Sequence, residues 1–332
     1  MEKLISIVIP SYNSASFLPE TVPTFVNITE SVRHMVEVII VNDGSTDNTL
    51  EVANELATQY PDIVRVIDKE NGGHGSTINA GIKSALGKYF KIVDGDDYVD
   101  SAEFERLILF LQNSDVDQVI TPFVKDYFNE EKKEIIDFEN VESGKEYTYD
   151  EFLSLVGRIP DMHAVVNRTE LLRENNIQLS EHCFYVDMQY NVFPMHLINK
   201  VAYFDTPIYQ YQLGDENQSV SLQNYFKNTK MHQHVIDSLI NYQATNSDKL
   251  SNIQLQLLNK LISALISIQI NIFLYDSNIR KSQKQYEDYM EKIKNKHPFS
   301  YNNPDGKKAK ILKHFPFMYF LMAKLYQIQT KS

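Results

Sequence analysis

The sequence predicts an α/β fold: a mainly parallel sheet flanked by helices, followed by a helical C-terminal region. Three observations carry this. In the first hundred residues, short apolar runs alternate with helical stretches of about 12 residues, the pattern of successive βαβ units. Polar clusters close these runs: Ser11-Tyr12-Asn13, Asn42-Asp43-Gly44-Ser45 and Asp94-Gly95-Asp96-Asp97. From about Tyr225 the apolar spacing is helical to the end.

Ile5 to Pro10 reads as a buried strand stopped by proline, and Ser16 to Ile28 as a helix. Val36 to Val41 is a second strand, after which Asp47 is placed to cap a helix over Asn48–Gln59. Val64 to Ile67 is a third strand, Ser76 to Leu86 a helix closed by Gly87, and Tyr89 to Val93 a fourth strand. A helix over Ala102–Gln112 leads to a strand at Gln118–Thr121. The stretch 122–160 reads as irregular, with the charge cluster 129–134 as a solvated turn. Helices are expected over Glu170–Asn175 and Asp187–Ile198. Ile253, Leu257, Leu258, Leu261, Ile262, Leu265 and Ile266 recur at spacings of three and four, one apolar helix face. The domain boundary is expected at 222–225.

The 332 residues are 43% hydrophobic and 23% charged, a globular composition. A net charge of -12 opposes nucleic-acid binding, which needs basic stripes against phosphate. The single cysteine, Cys183, excludes an internal disulfide and fits a reducing cytoplasm. Met1 to Ser6 runs straight into a strand, so no secretory signal is expected. Without about 20 uninterrupted apolar residues, no spanning helix is expected either. Charge is uneven: from Gly306 onward there are six lysines and no acid, so the remainder of the chain carries -18.

In open parallel sheets, ligands bind beyond the carboxyl ends of the strands. The polar clusters therefore gather on one edge. Asp residues at 94–97 repel one another, and a divalent cation such as Mg²⁺ or Mn²⁺ would supply a reason to collect them; a helix-capping loop is the other reading. Asp43 either shapes a turn or accepts an N–H from a nucleotide base, with Tyr12 offering a ring for that base. Gly72-Gly73-His74-Gly75-Ser76 reads as a plain turn or as a phosphate loop before a helix N-terminus. It is neither a Walker loop nor a dinucleotide fingerprint. Asp187 is a helix cap or a general base. His232 and His234 lie two apart on a helix and are expected as surface histidines.

Pro10-Ser11-Tyr12-Asn13, Val41 to Asp47, Asn71-Gly72-Gly73, Asn79-Ala80-Gly81, Gly87-Lys88-Tyr89 and Asp94-Gly95-Asp96-Asp97 occur in this order and spacing. Together they closely resemble glycosyltransferase family 2, inverting enzymes of the GT-A (Rossmann-like) fold that use nucleotide-sugar donors. The resemblance is strong over 4–100 and weaker to about 220. It implies a GT-A catalytic domain over 1–222, with a nucleotide-sugar half (1–100) and an acceptor half (101–222), and a helical region over 223–332. It implies transfer of a hexosyl or N-acetylhexosaminyl group from a UDP-sugar to a hydroxyl of a glycan, glycolipid or glycoconjugate, in bacterial surface polysaccharide or glycoconjugate synthesis.

By the same resemblance, Pro10, Tyr12, Asn13, Asp43, Gly72, Gly73, Asn79, Asp94, Gly95 and Asp96 bind the nucleotide-sugar. Asp94 and Asp96 form the DXD motif that holds Mn²⁺ or Mg²⁺ on the diphosphate. Asp187 is the base, and Gln218-Ser219-Val220-Ser221 closes over the donor. Asp161 and His163 are candidates to face the acceptor. Two positions depart from the family pattern: Ile78 stands where many members carry Arg, leaving Lys83 or His74 to replace it, and Val186 stands where an acid precedes the base. The rivals are a sugar nucleotidyltransferase, which would show a Gly- and Lys-rich first loop, and a non-catalytic scaffold of a glycan-assembly complex. The tail 307–331 is either a membrane-surface segment at the inner face of the plasma membrane or a helix packed on the body or on a second subunit. The C-terminal helices are a candidate homo-oligomer contact.

Overall fold

The first apolar runs become the buried centre of a sheet: β1 (Ile5–Ser11) and β2 (Val36–Asp43) are buried at every position. The computed structural model describes residues 3–127, 130, 132–214 and 221–331. The chain divides into two compact units, residues 1–215 and 216–332.

In the first unit the remaining strands are β3 (Val64–Lys69), β4 (Tyr89–Ile92), β5 (Tyr98–Val99), β6 (Gln118–Ile120), β7 (Phe123–Tyr127), β8 (Lys132–Ile136), β9 (Glu146–Thr148), β10 (Val165–Arg168), β11 (Lys200–Tyr203) and β12 (Tyr209–Leu213). Its helices are α1 (Leu18–Val26), α2 (Glu30–Arg33), α3 (Thr49–Gln59), α4 (His74–Ser84), α5 (Ser101–Gln112), α6 (Tyr149–Val156), α7 (Thr169–Glu174) and α8 (Asp187–Val192). An eight-stranded sheet has the order β3-β2-β1-β4-β10-β6-β11-β9. The first four strands of that order are parallel, and β10 runs antiparallel between β4 and β6. The sheet is therefore mixed and mainly parallel. A smaller sheet, β5-β12-β7-β8, stands beside the loop that leaves β4. The chain goes outward from β1 through β2 to β3 and returns to the other side of β1 at β4. That reversal is the switch point where open α/β sheets bind ligands.

The end of the sheet away from the polar clusters is locked by a buried carboxylate. Glu37 accepts from Ser6 Oγ at 2.5 Å, Arg65 Nε at 2.6 Å and the Leu86 amide at 3.0 Å. The Gly87 amide donates to Ser6 Oγ at 2.8 Å, so four chain segments meet there.

The stretch 122–160 is more regular than its sequence pattern indicates. It forms β7, β8, β9 and α6, the last opened by a Thr148–Glu151 capping box. Lys132, Lys133 and Glu134 of the charged cluster lie in the exposed edge strand β8, not in a turn. Charged side chains suit such an edge because they discourage pairing with another chain. The helix expected over 187–198 ends at Val192; Pro194 lacks the N–H needed to continue it.

The second unit is helical: α9 (Leu222–Lys227), α10 (Thr229–Thr245), α11 (Asn252–Tyr275), α12 (Ile279–Lys296), α13 (Pro298–Asn302), α14 (Lys307–His314) and α15 (Tyr319–Lys331). By length and composition alone α11 could cross a membrane, a test that a core helix also passes. It is the core helix of this unit, with Leu257, Leu258, Ile262, Leu265 and Ile266 buried. His232 is not the surface histidine expected. It is buried, and its Nδ1 stands 2.9 Å from Gln269 Oε1.

The junction before β4 makes a specific demand. A Cβ on Gly87 would sit 2.5 Å from the Ser6 amide nitrogen and 2.6 Å from the Ile5 carbonyl carbon, both backbone. Gly87→Ala is expected to destabilise the chain by about 1–3 kcal/mol through overpacking, read as a lowered urea midpoint. An unchanged midpoint would mean that the junction relaxes freely.

Candidate active site

The carboxyl ends of β1, β2 and β4 carry the predicted clusters, and hydrogen bonds tie the first two together. Asn13 is left-handed (φ 53°), and its Oδ1 accepts from the Thr46 amide at 2.9 Å. Its own amide donates to Ser45 Oγ at 3.0 Å. Asp47 Oδ1 accepts from the Thr49 amide at 3.0 Å and from Thr49 Oγ1 at 2.5 Å, and Thr49 Oγ1 in turn accepts from the Ser14 amide at 2.7 Å. Asp47 thus holds Thr49 at the start of α3, although the cap position itself is Asn48. Pro10 is buried at the end of β1, while Tyr12, two residues on, leaves its ring 51% exposed and open to stacking.

Asp43 is buried at the end of β2, and its carboxylate is already engaged. Oδ1 accepts from the Gly72 amide at 2.9 Å, Lys69 Nζ at 2.9 Å and Ser76 Oγ at 3.2 Å; Oδ2 accepts from the Gly73 amide at 2.7 Å. The backbone N–H pair of the expected phosphate loop therefore holds a carboxylate of the protein itself. The same glycines serve a second packing need. A Cβ on Gly73 would lie 3.1 Å from the His182 backbone, and one on Gly75 would collide with the Ser180 carbonyl. The His182 amide donates to the Gly72 carbonyl. Gly73 and Gly75 are thus small where segment 179–183 lies across them, and Gly72 is small where Ser76 packs against it.

That segment leads to Asp187, and Asn79 clasps it. The Leu179 amide donates to Asn79 Oδ1 at 2.8 Å, and Asn79 Nδ2 donates to the Leu179 carbonyl at 3.0 Å. Gln189 holds Ser180 from the other side, accepting its amide at 2.8 Å and donating to its Oγ at 2.9 Å. His182 and Tyr185 are left-handed at φ 50° and 67°, a strained path that this scaffolding sustains. Asp187 begins α8. Burial pushes its carboxyl up to about 6; His74 opposes the shift and Asp94 adds to it. Burial drives His74 toward the neutral form, against the charges of Asp187, Asp96 and Asp43. Of the two proposed replacements for the missing Arg, only His74 faces these carboxylates; Lys83 is exposed in the last turn of α4, and Ile78 is core. Val186 is buried as well.

The loop after β4 separates its Asp residues into different roles. A Cβ on Gly95 would stand 3.0 Å from the Pro10 carbonyl, so the loop lies close against β1. Thr21 Oγ1 donates to the carbonyls of Gly95 and Asp97, at 3.2 and 2.8 Å. Asp97 is buried and accepts from Tyr209 Oη at 2.6 Å and the Gln212 amide at 2.8 Å, which anchors the loop to β12. Asp94 Oδ1 is buried without a hydrogen bond, with His74 Nε2 3.6 Å away. Burial, then the charge of Asp96, pushes the Asp94 carboxyl up to about 7. An orphaned carboxylate oxygen beside a second, half-buried carboxylate fits a hard divalent cation.

His163 comes to the same place. Ligand atoms of Asp94, Asp97 and His163 lie within 4.8 Å of one another. The Asp97 oxygens are already committed to Tyr209 and Gln212, so Asp94 and His163 are the members of that group with unmet capacity. The imidazole stacks on Tyr211 (4.3 Å between centroids), and its buried Nδ1 has no hydrogen-bond partner. Burial, followed by Lys91 and Lys125, lowers its pKa to about 3, which keeps it neutral. Lys91, fully buried within β4 and itself pushed down to about 7 by burial, donates to the His163 carbonyl at 2.8 Å. Asp161 is not gathered with these groups; it pairs with Arg158 at 2.9 Å. Of the segment expected to close over the donor, 218–220 lie outside the described residues, and Ser221 caps α9. Tyr209, Tyr211, Lys69 and Lys91 carried no motif signal. Their places follow from strand pairing alone.

The chain is similar to known glycosyltransferases. The uncharacterized glycosyltransferase EpsJ of Bacillus subtilis is 32% identical over 221 residues, 64% of this chain and 62% of EpsJ. Glycosyltransferase GlyG of Streptococcus pneumoniae is 40% identical over 121 residues, 36% of this chain and 39% of GlyG. The match thus spans less than two thirds of the length of these curated relatives. Among solved structures, Staphylococcus aureus TarS (residues 1–349) in complex with UDP-GlcNAc superposes with a TM-score of 0.62 at 17% identity, over 98% of this chain and 88% of that one, a likeness of fold. The sequence profile described as glycosyl transferase family 2 matches residues 6–174, half of the chain and all four strand ends from β1 to β4. The chain belongs to glycosyl transferase family 2.

Proposed function

We propose that this chain transfers a sugar, with inversion, from a UDP-sugar to a hydroxyl of a glycan, glycolipid or other glycoconjugate acceptor. The observation that carries the reading is the meeting of Asp94, Asp96, His74 and Asp187 at the switch point of the sheet, with one Asp94 oxygen buried and unsatisfied. The crystallised complexes of TarS with UDP-GlcNAc and with UDP support a uridine donor. Chondroitin synthase of Pasteurella multocida, 45% identical over 97 residues, supports a glycan product.

Tyr12 offers its exposed ring to the base. Asp43 keeps one acceptor position on Oδ2 for the base edge but mainly holds the loop against which the nucleotide lies. Pro10, Asn13, Gly72, Gly73 and Gly95 shape that floor. Asp96 and Asp94 would hold Mn²⁺ or Mg²⁺, which when bound offsets the charge developing on the departing diphosphate. His74, kept neutral by burial, stands between the two sets of carboxylates and replaces part of the missing Arg contact. Asp187 accepts the proton of the acceptor hydroxyl as that oxygen attacks the anomeric carbon. His163 is the acceptor-side residue of choice, since its Nδ1 is unsatisfied; Asp161 is committed to Arg158. Neither the nucleotidyltransferase nor the scaffold alternative has a described residue in its favour.

Three measurements test this. Asp187 must be ionised to act, and its raised pKa means that the base is lost as pH falls. With Mn²⁺ saturating, so that Asp94 is held ionised, kcat/KM is therefore expected to rise through about pH 6 and then level off. Asp187→Asn should remove that limb and lower turnover by about 10²–10⁴-fold; near-wild-type turnover on the true acceptor would reject the base. Calorimetry of UDP with Mn²⁺ should show Asp96→Ala losing the metal-dependent part of the affinity, and an unchanged isotherm would remove Asp96 from the site. Asn79→Ala should lower kcat by about 10–100-fold through a displaced Asp187, with UDP affinity little changed. A weakened UDP affinity with unchanged kcat would return Asn79 to the phosphate.

A further inference from the structure

The second unit ends in a surface that the transfer reaction does not use. The inner face of α15 is spent on packing: Tyr319 and Ala323 are buried, and Met322, Tyr326 and Gln327 are partly covered. A helix needs one apolar face for such packing. This one carries a second. Phe320, Leu321, Leu325 and Ile328 are all exposed on the opposite face, Ile328 to 68%. The turn before the helix adds Phe315 and Phe317, the latter 78% exposed. Lys324 lies among them, its Nζ 4.7 Å from the centre of the Phe320 ring. Lys307 and Lys310 are exposed on α14.

Charge selects the occupant. Six lysines and no acid occupy the last 27 residues of a chain whose remainder carries -18. Two copies meeting through this face would bring like charges together, at a cost. A neutral apolar partner would leave the lysines without function. An anionic lipid surface answers both features, because aromatic and aliphatic side chains enter the headgroup boundary while lysines neutralise the headgroups. We propose that α14, the 315–318 turn and the outer face of α15 form an anionic-membrane-binding surface. An acidic chain would otherwise be repelled by such a membrane, so this face sets how the protein lies on it. The reading goes beyond sugar transfer and stands or falls without it.

The test is flotation of the full chain with vesicles of phosphatidylcholine alone and of equal parts phosphatidylcholine and phosphatidylglycerol. The protein is expected to float with the anionic vesicles only, and to be released by high salt. Phe317→Ser with Leu321→Ser, and separately Lys307→Gln with Lys310→Gln and Lys324→Gln, should each reduce partitioning by more than about tenfold. Both variants should keep wild-type helicity by circular dichroism and wild-type donor hydrolysis, which separates this proposal from the catalytic one. No flotation of the wild type, or equal flotation of the variants, overturns it. So does light scattering that shows a vesicle-free dimer which the same substitutions dissolve, because the occupant is then a second copy.

Discussion

The site depends on one buried carboxylate. Asp43 sits at the end of a fully buried strand and receives two backbone N–H groups, an ammonium and a hydroxyl. Hydrogen bonds to a charged acceptor are worth about 1.5–3 kcal/mol each, and here they fix a glycine-rich loop that has little intrinsic preference for any shape. The loop then serves as a platform. Segment 179–183 lies on Gly73 and Gly75, is clasped by Asn79 from 100 residues away in sequence, and delivers Asp187 to the strand ends. Binding loop and proposed base are thus parts of one hydrogen-bonded assembly.

Collecting carboxylates in a partly buried site costs free energy, and the fold limits that cost by assigning each a different state. Asp43 is paired with Lys69. Asp97 is withdrawn into hydrogen bonds with β12. Asp94 and Asp187 are shifted upward by burial, so either can be neutral when the site is empty. His74 remains neutral amid negative neighbours because burial outweighs their attraction. What stays unsatisfied is the Asp94 oxygen.

The βαβ half was legible because its strands are buried on both faces and therefore read as unbroken apolar runs. Stretch 122–160 was not. Its strands are short, one is an exposed edge rich in lysine, and such segments lack the periodicity that marks a strand. His232 misled for a related reason. Whether a polar residue on a helix is solvated depends on neighbours that local spacing does not contain.

The sequence by itself determined the alternation of strands and helices, the gathering of the polar clusters on one edge, the family, and the basic character of the tail. Each follows from local pattern, motif order or composition. Only the tertiary structure decided what those residues do to one another. It gave the Gly72 and Gly73 amides to Asp43, turned Asn79 toward segment 179, tied the Asp97 oxygens to β12 while leaving an Asp94 oxygen unbonded, and brought His163 in while leaving Asp161 with Arg158. Hydrogen-bond partners are chosen by distance in space, and, the local Arg158–Asp161 pair apart, the bonded pairs named here are separated by 29 to 112 residues of chain.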